Sequence, residues 1–198
     1  GDGIGIGTQG TGTVVRGNRC WRNNDDGIDL FDSANVLAEN NWSWENGKDD
    51  SLTPTAGNGA GFKLGGTASG DGSHVIRNNL SWNNDEDGFH SNLADNPMTM
   101  HNNTAYGNNN SGMFNFNFQN GIAHVLRNNL AFNPNSVAVD GTNVQHHNSW
   151  NGCCTVTSGD FVTTDFTANL GARQADGSLP SSTFLHLASG SDLINAGV

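Results

Sequence analysis

A short apolar run closed by a pair ending in Asn recurs along this 198-residue chain. It reads VVRGN (14–18), LAENN (37–41), VIRNN (75–79), TMHNN (99–103), VLRNN (125–129) and VQHHN (144–148). The closing Asn falls at 18, 41, 79, 103, 129 and 148, in steps of 23, 38, 24, 26 and 19 residues. Strand-like segments at such a period mark a solenoid, whose coils bury a core only by stacking on one another. The step of 38 is one coil plus an insertion, placed at GKDDSLTPTAGNGA (47–60), which is rich in turn formers. A second motif follows each Asn: DGIDL (26–30), AGFKL (60–64), DGFHS (87–91) and SGMFN (111–115), with DGIGI (2–6) one coil earlier. Each coil therefore has at least two strands and two turns, stacked about 4.8 Å apart. Leucine-rich repeats share the period but need an LxxLxLxxN pattern that is missing. The expected fold class is all-β, a parallel β-helix. Residues 1–152 supply the coils, and 153–198 a C-terminal coil or capping segment of the same domain.

The repeated Asn residues have a structural explanation. Asn tolerates the left-handed conformation at a tight bend, and stacked amides can hydrogen-bond from coil to coil. Trp21, Trp42, Trp44, Trp82 and Trp150 follow the Asn positions and read as a stacked column before a sugar platform. Arg77 and Arg127, just ahead of the Asn pairs, read as outward supports. Sequons stand at Asn41, Asn79, Asn102 and Asn109, the first two on the ladder itself.

Charge narrows the partners. The formal net charge is −11, against a nucleic-acid backbone or an anionic membrane surface as partner. No apolar run approaches the ~20 residues of a membrane span. Cys20, Cys153 and Cys154 make no disulfide framework and no zinc spacing.

Against this background NNDDGIDLFD (23–32) stands out, with Asp25, Asp26, Asp29 and Asp32 beside Ile28, Leu30 and Phe31. Aligning the second motif puts Asp2, Asp26, Ala60 and Asp87 in one column, and Gly5, Asp29, Lys63 and His90 in another. Asp2, Asp25, Asp26 and Asp29 then surround one point on the outer face. Carboxylates without soft ligands suit a hard cation, Ca²⁺ before Mg²⁺. Asp32 reads as turn chemistry, and Asp85, Glu86 and Asp87 as a solvated turn. Lys63, one of only two lysines, lies one coil from Asp29. It is placed either to abstract a proton or to form a salt bridge with Asp29. The cation either serves chemistry or clips two coils together.

GNRCWRNNDDGIDLFDS (17–33), GNGAGFKLGG (57–66), HVIRNNLSWNN (74–84) and LHLASGSDLINAGV (185–198) resemble the family 9 polysaccharide lyases, whose best-known members are pectate lyases. The resemblance implies a right-handed parallel β-helix with an asparagine ladder. It implies that Asp2, Asp25, Asp26 and Asp29 bind a catalytic Ca²⁺ and that Lys63 is the Brønsted base. The implied reaction is β-elimination on an acidic polysaccharide, homogalacturonan or pectate, favoured at alkaline pH and carried out by a secreted, extracellular, bacterial-type protein. His90 is a candidate substrate contact or leaving-group acid. Family catalytic domains are longer than this chain, so uncapped β-helix ends and self-association through them are expected. Two other readings stay open: a β-helix hydrolase using carboxylates without Ca²⁺, and a non-catalytic polysaccharide-binding solenoid with structural calcium.

Overall fold

The computed structural model describes residues 1–7, 12–108 and 112–196. Three parallel sheets run the length of a β-solenoid. The sheets take six, six and five strands and a full coil gives one to each, so the coil has three strands where the sequence implied at least two. The first sheet holds Ile4–Gly5, Ile28–Asp29, Phe62–Lys63, Phe89–His90, Phe116–Phe118 and Val137–Val139. The second holds Val14–Arg16, Leu37–Glu39, Val75–Arg77, Thr99–His101, Val125–Arg127 and Val144–His146. The third holds Arg19–Trp21, Trp42–Trp44, Leu80–Trp82, Thr104–Tyr106 and Leu130–Phe132. Among the described residues helix is confined to two short 3₁₀ turns, Ser158–Asp160 and Thr167–Leu170.

Alternation within these short strands sends one residue inward and its neighbours out. The core is a set of columns: Phe62, Phe89 and Phe116 stack at 4.7 and 5.0 Å, and Val15, Ala38, Ile76, Met100 and Leu126 face them from the second sheet. Registers match the aligned repeat: Ile4 opposes Ile28, Ile28 opposes Phe62, and Phe62 opposes Phe89. The SGMFN segment departs from it. Phe89 opposes Phe116, so the strand begins after that motif, and Ser111 lies outside the described residues.

The asparagine ladder is present and divides its labour. The first residue of each pair takes the bend: Asn40, Asn78, Asn102 and Asn128 have φ of 53–54°. The second stacks. Asn41, Asn79, Asn103 and Asn129 each donate Nδ2 to the next Asn Oδ1, at 2.9–3.0 Å. Each also donates to a strand carbonyl of the coil before, as Asn79 does to Ala38 at 2.9 Å. A second ladder runs through Asn23, Asn46, Asn84, Asn108 and Asn115. It explains the glycine of the second motif: a Cβ on Gly61 would lie 2.1 Å from Ser81 Oγ and 2.7 Å from Asn84 Nδ2. Asn109 falls outside the described residues.

Trp21, Trp44 and Trp82 stack face to face at 5.0 and 4.7 Å on the outer side of the third sheet. Trp42 meets Trp82 edge-on instead, and Trp150 packs against Phe116 within the first core. Trp44 and Trp82 are covered, whereas Trp21 stays 47% exposed. The segment from 153 onward adds no coil but lies along the outside of the third sheet, with Val156, Phe161, Phe184, Leu185 and Leu193 packed there. It reaches back to the first coils, where Arg19 donates to the Gly171 carbonyl at 2.6 Å and Arg173 to that of Gly17 at 2.8 Å. Cys153 and Cys154, at its start, are disulfide-bonded to each other. Beside the last coil, Trp150 packs against Phe116 and donates Nε1 to Gln145 Oε1 at 2.7 Å.

Candidate metal and proton-transfer site

The first sheet builds the site from one outward column, Gly5, Asp29, Lys63, His90 and Asn117, each a coil from the next. Because Ile28, Phe62 and Phe89 fill the core, their successors must point out. The turn before the second strand adds Asp25 and Asp26, and the first coil adds Asp2. Asp2, Asp25 and Asp26 offer oxygens that all lie within 4.8 Å of one another. Asp2 Oδ1 accepts from the Asp26 N–H at 3.3 Å.

The insertion at 47–60 is part of this construction. It folds back so that the Asn58 N–H donates to Asp25 Oδ1 and the Ala60 N–H to Asp26 Oδ1, both at 2.8 Å. Thr55 Oγ1 donates to the Asn24 carbonyl at 2.6 Å. Gly57 allows that close approach, since a Cβ there would lie 2.1 Å from Asn24 O.

Lys63 sits inside the cluster. Its Nζ donates to Asp26 Oδ2 and Asp29 Oδ2, both at 3.1 Å, and lies 5.3 Å from the Phe31 ring centre. Its side chain is only 16% exposed. Burial pushes its ammonium down, but Asp26 and Asp29 outweigh that, and its proton is held more tightly than in a free lysine. The salt bridge forms, and it includes Asp26 as well as Asp29. Burial raises the Asp29 carboxyl to about 6 against the pull of Lys63, and raises Asp26 as well. Asp29 Oδ1 is buried with no hydrogen-bond partner. A buried carboxylate oxygen without a donor fits a cation ligand. With three clustered carboxylates beside it, the donor set is all hard oxygen and fits Ca²⁺.

Asp87 corrects the reading of a solvated turn. It is 1% exposed and accepts from the Phe114 N–H and from Asn117 Nδ2 at 2.9 Å. His90 Nδ1 lies 3.4 Å from its Oδ2. Beside it, burial and then Asp87 and Asp26 push the Glu86 carboxyl up to about 7. The column alignment already grouped Asp87 with Asp2 and Asp26; only its burial was missed. Asp32 sits in a turn at φ 54°, but the reading as turn chemistry alone is corrected: its Oδ1 accepts from the Thr67 and Ala68 N–H groups of the next coil and so ties two coils together.

Residues 1–129 match the family described as Pel9A-like, right handed beta helix region. Pectate lyase L of Dickeya dadantii is 39% identical over 193 residues, which is 96% of this chain and 44% of that protein. Pectate lyase PEL9 of Emericella nidulans is 32% identical over 206 residues, covering 93% of this chain and 50% of that protein. The crystal structure of pectate lyase Pel9A superposes with a TM-score of 0.88 at 38% identity, over all of this chain and 49% of that one. A rhamnogalacturonan lyase superposes at 0.85 with 28% identity, over 95% of this chain and 52% of that one. The chain spans about half the length of the relatives it matches. It belongs to the Pel9A-like family of right-handed β-helix proteins.

Proposed function

We propose that this chain carries the catalytic face of a calcium-dependent polysaccharide lyase that cleaves pectate by β-elimination. The observation that supports it most is Lys63, a cation one strand from Asp29 with Nζ 3.1 Å from both Asp26 and Asp29. Asp2, Asp25, Asp26 and Asp29 would hold the calcium. When bound, it neutralises the substrate carboxylate and stabilises the negative charge that develops there. Lys63, freed from its two carboxylates and deprotonated, takes the C5 proton. The C5–H electron pair forms the C4=C5 double bond and the C4–O4 bond breaks. The departing O4 takes a proton from water or from His90, one coil beyond Lys63. The insertion at 47–60 keeps Asp25 and Asp26 in place. Residues 1–152 form the catalytic coils, and the strap from 153 onward holds them together within one domain. A polymeric substrate places the activity outside the cell.

The deciding assay is ultraviolet absorbance of unsaturated product on polygalacturonate, with calcium and then with chelator. A calcium-dependent rise is expected. New reducing ends without absorbance would mean hydrolysis and would overturn the mechanism. Folded protein that is inactive with calcium would favour the binding solenoid. The likeness to a rhamnogalacturonan lyase makes that polymer the second substrate to run.

A further inference from the structure

The outer face of the second sheet carries charge that the catalytic groove does not use. Its registers place Arg16, Glu39, Arg77, His101, Arg127 and His146 in one column, one residue per coil. Three of the eight Lys and Arg residues of a chain with net charge −11 thus stand in line. Glu39 is the single acid in that column. It is shared, accepting from Arg16 Nε and from Arg77 Nε at 2.6 Å. Beyond it Arg77, His101, Arg127 and His146 follow without an acid between them. Each step is one strand spacing, about 4.8 Å. Like charges directly opposite on neighbouring strands are destabilising. His101 registers this: burial, then Arg127 and Arg77, hold its imidazole below the ordinary histidine range. The Arg127 guanidinium has no carboxylate partner among the described residues. Two residues earlier on each strand runs a column that is apolar but for Thr99, in which Val14, Val75 and Val144 are 51, 38 and 42% exposed. A cleft lined by Leu37, Val75 and Arg77 opens on the same face.

Three arginines against the one shared Glu39, with Arg127 unpaired among the described residues, leave a net positive line on an acidic protein, complementary to a polyanion with regularly spaced charges. The apolar column beside it suits a polymer whose other surface is neutral. We propose that this face is a second binding strip for an acidic polysaccharide. Uronate carboxylates range along Arg77 and Arg127, and the C–H faces of the sugar rings lie over the valine column. The choice of a uronate rests on the proposed function; the cationic line does not. The strip is on a different sheet from Lys63 and the carboxylates, so its binding needs no calcium.

The test is fluorescence anisotropy with a labelled oligogalacturonate, in chelator at low salt. The expected result is saturable binding that weakens steeply as salt shortens the screening length from about 30 Å to about 8 Å. Arg127→Ala should weaken it several-fold and Arg77→Ala/Arg127→Ala at least tenfold. Arg127→Ala removes an exposed side chain with no carboxylate partner among the described residues and should fold as the wild type does; Arg127→Glu should bind less again. No binding by the wild type in chelator, or equal binding by Arg127→Glu, overturns the proposal. So does equal binding of a fully methyl-esterified oligomer or of a single-stranded oligonucleotide. Elimination on short oligomers in calcium is a separate readout. Strip binding without elimination refutes the proposed function alone, and elimination without strip binding refutes this proposal alone.

Discussion

Replacing Lys63 by Met tests whether lysine and calcium compete for the same carboxylates. Lys63 Nζ holds Asp26 Oδ2 and Asp29 Oδ2 at 3.1 Å each. On the proposed function, calcium would have to displace it from both. A hydrogen bond to a charged group is worth about 1.5–3 kcal/mol. One ammonium serves both bonds here, so they do not simply add, and ~2 kcal/mol for the pair is conservative. Coupling is reciprocal: what calcium does to the lysine, the lysine does to calcium. Lys63→Met should therefore bind calcium about 30-fold more tightly than the wild type, measured by isothermal titration calorimetry at pH 8. The same variant should lose elimination activity. In chelator it should also be less stable, by about 3 kcal/mol, because a fully buried Asp26 has lost its counter-charge. Added calcium should restore that stability. A variant whose calcium affinity is unchanged or weaker would show that Lys63 and the metal do not share Asp26 and Asp29.

Two further predictions concern the scaffold. Asn79→Ala deletes two donated and two accepted hydrogen bonds and orphans the buried Asn41 N–H, so it should cost ~3–6 kcal/mol by urea unfolding. Its neighbour Asn78 sits at φ 54° with no ladder role, so Asn78→Gly should shift stability by less than ~1 kcal/mol, and equal effects at the two positions would refute the division of labour. Burial pushes both His74 and His124 down to about 4, and each accepts a backbone N–H at Nδ1. Unfolded histidine titrates near ~6.5, so these two contribute stability that is complete above that pH and is lost as pH falls toward 4. The raised Asp29 and Glu86 carboxyls oppose this over part of the range. The difference from a His74→Asn variant isolates one group. Between pH 7.5 and 5 the wild type should lose ~2 kcal/mol more than the variant, and parallel stability curves would show that His74 is not held neutral.

The coil was legible in the sequence because stacking turns a sequence period into spatial neighbours. Once the Asn positions gave the period, Gly5, Asp29, Lys63 and His90 had to share a column, and they do. The second ladder was equally available. Asn23, Asn46, Asn84 and Asn108 each stand five residues after Asn18, Asn41, Asn79 and Asn103. Other features have no local signal. The period cannot show that the strap covers the third sheet, because that contact joins Arg19 to Gly171 across 152 positions. The burial of Asp87 depends on Phe114 and Asn117, and the extra residues before Phe116 break the pattern that would have aligned them.

The ion pair at Lys63 bears on how such a site survives without its metal. Asp25, Asp26 and Asp29, with Asp2 from the coil before, repel one another, and burial of Asp26 and Asp29 makes their charged forms costlier still. Lys63 offsets that in the metal-free protein, where a high affinity for its proton is an advantage. The same affinity unsuits it as a base. A dication on the same oxygens reverses both conditions: the carboxylates no longer need the ammonium, and the nearby positive charge favours its neutral form. One lysine can thus stabilise the empty site and act as base in the loaded one, provided that metal binding and lysine release are a single event. On the proposed function, Lys63 would need calcium as much as the substrate would. A substrate that brought no carboxylate of its own would still need the metal before any proton could be taken.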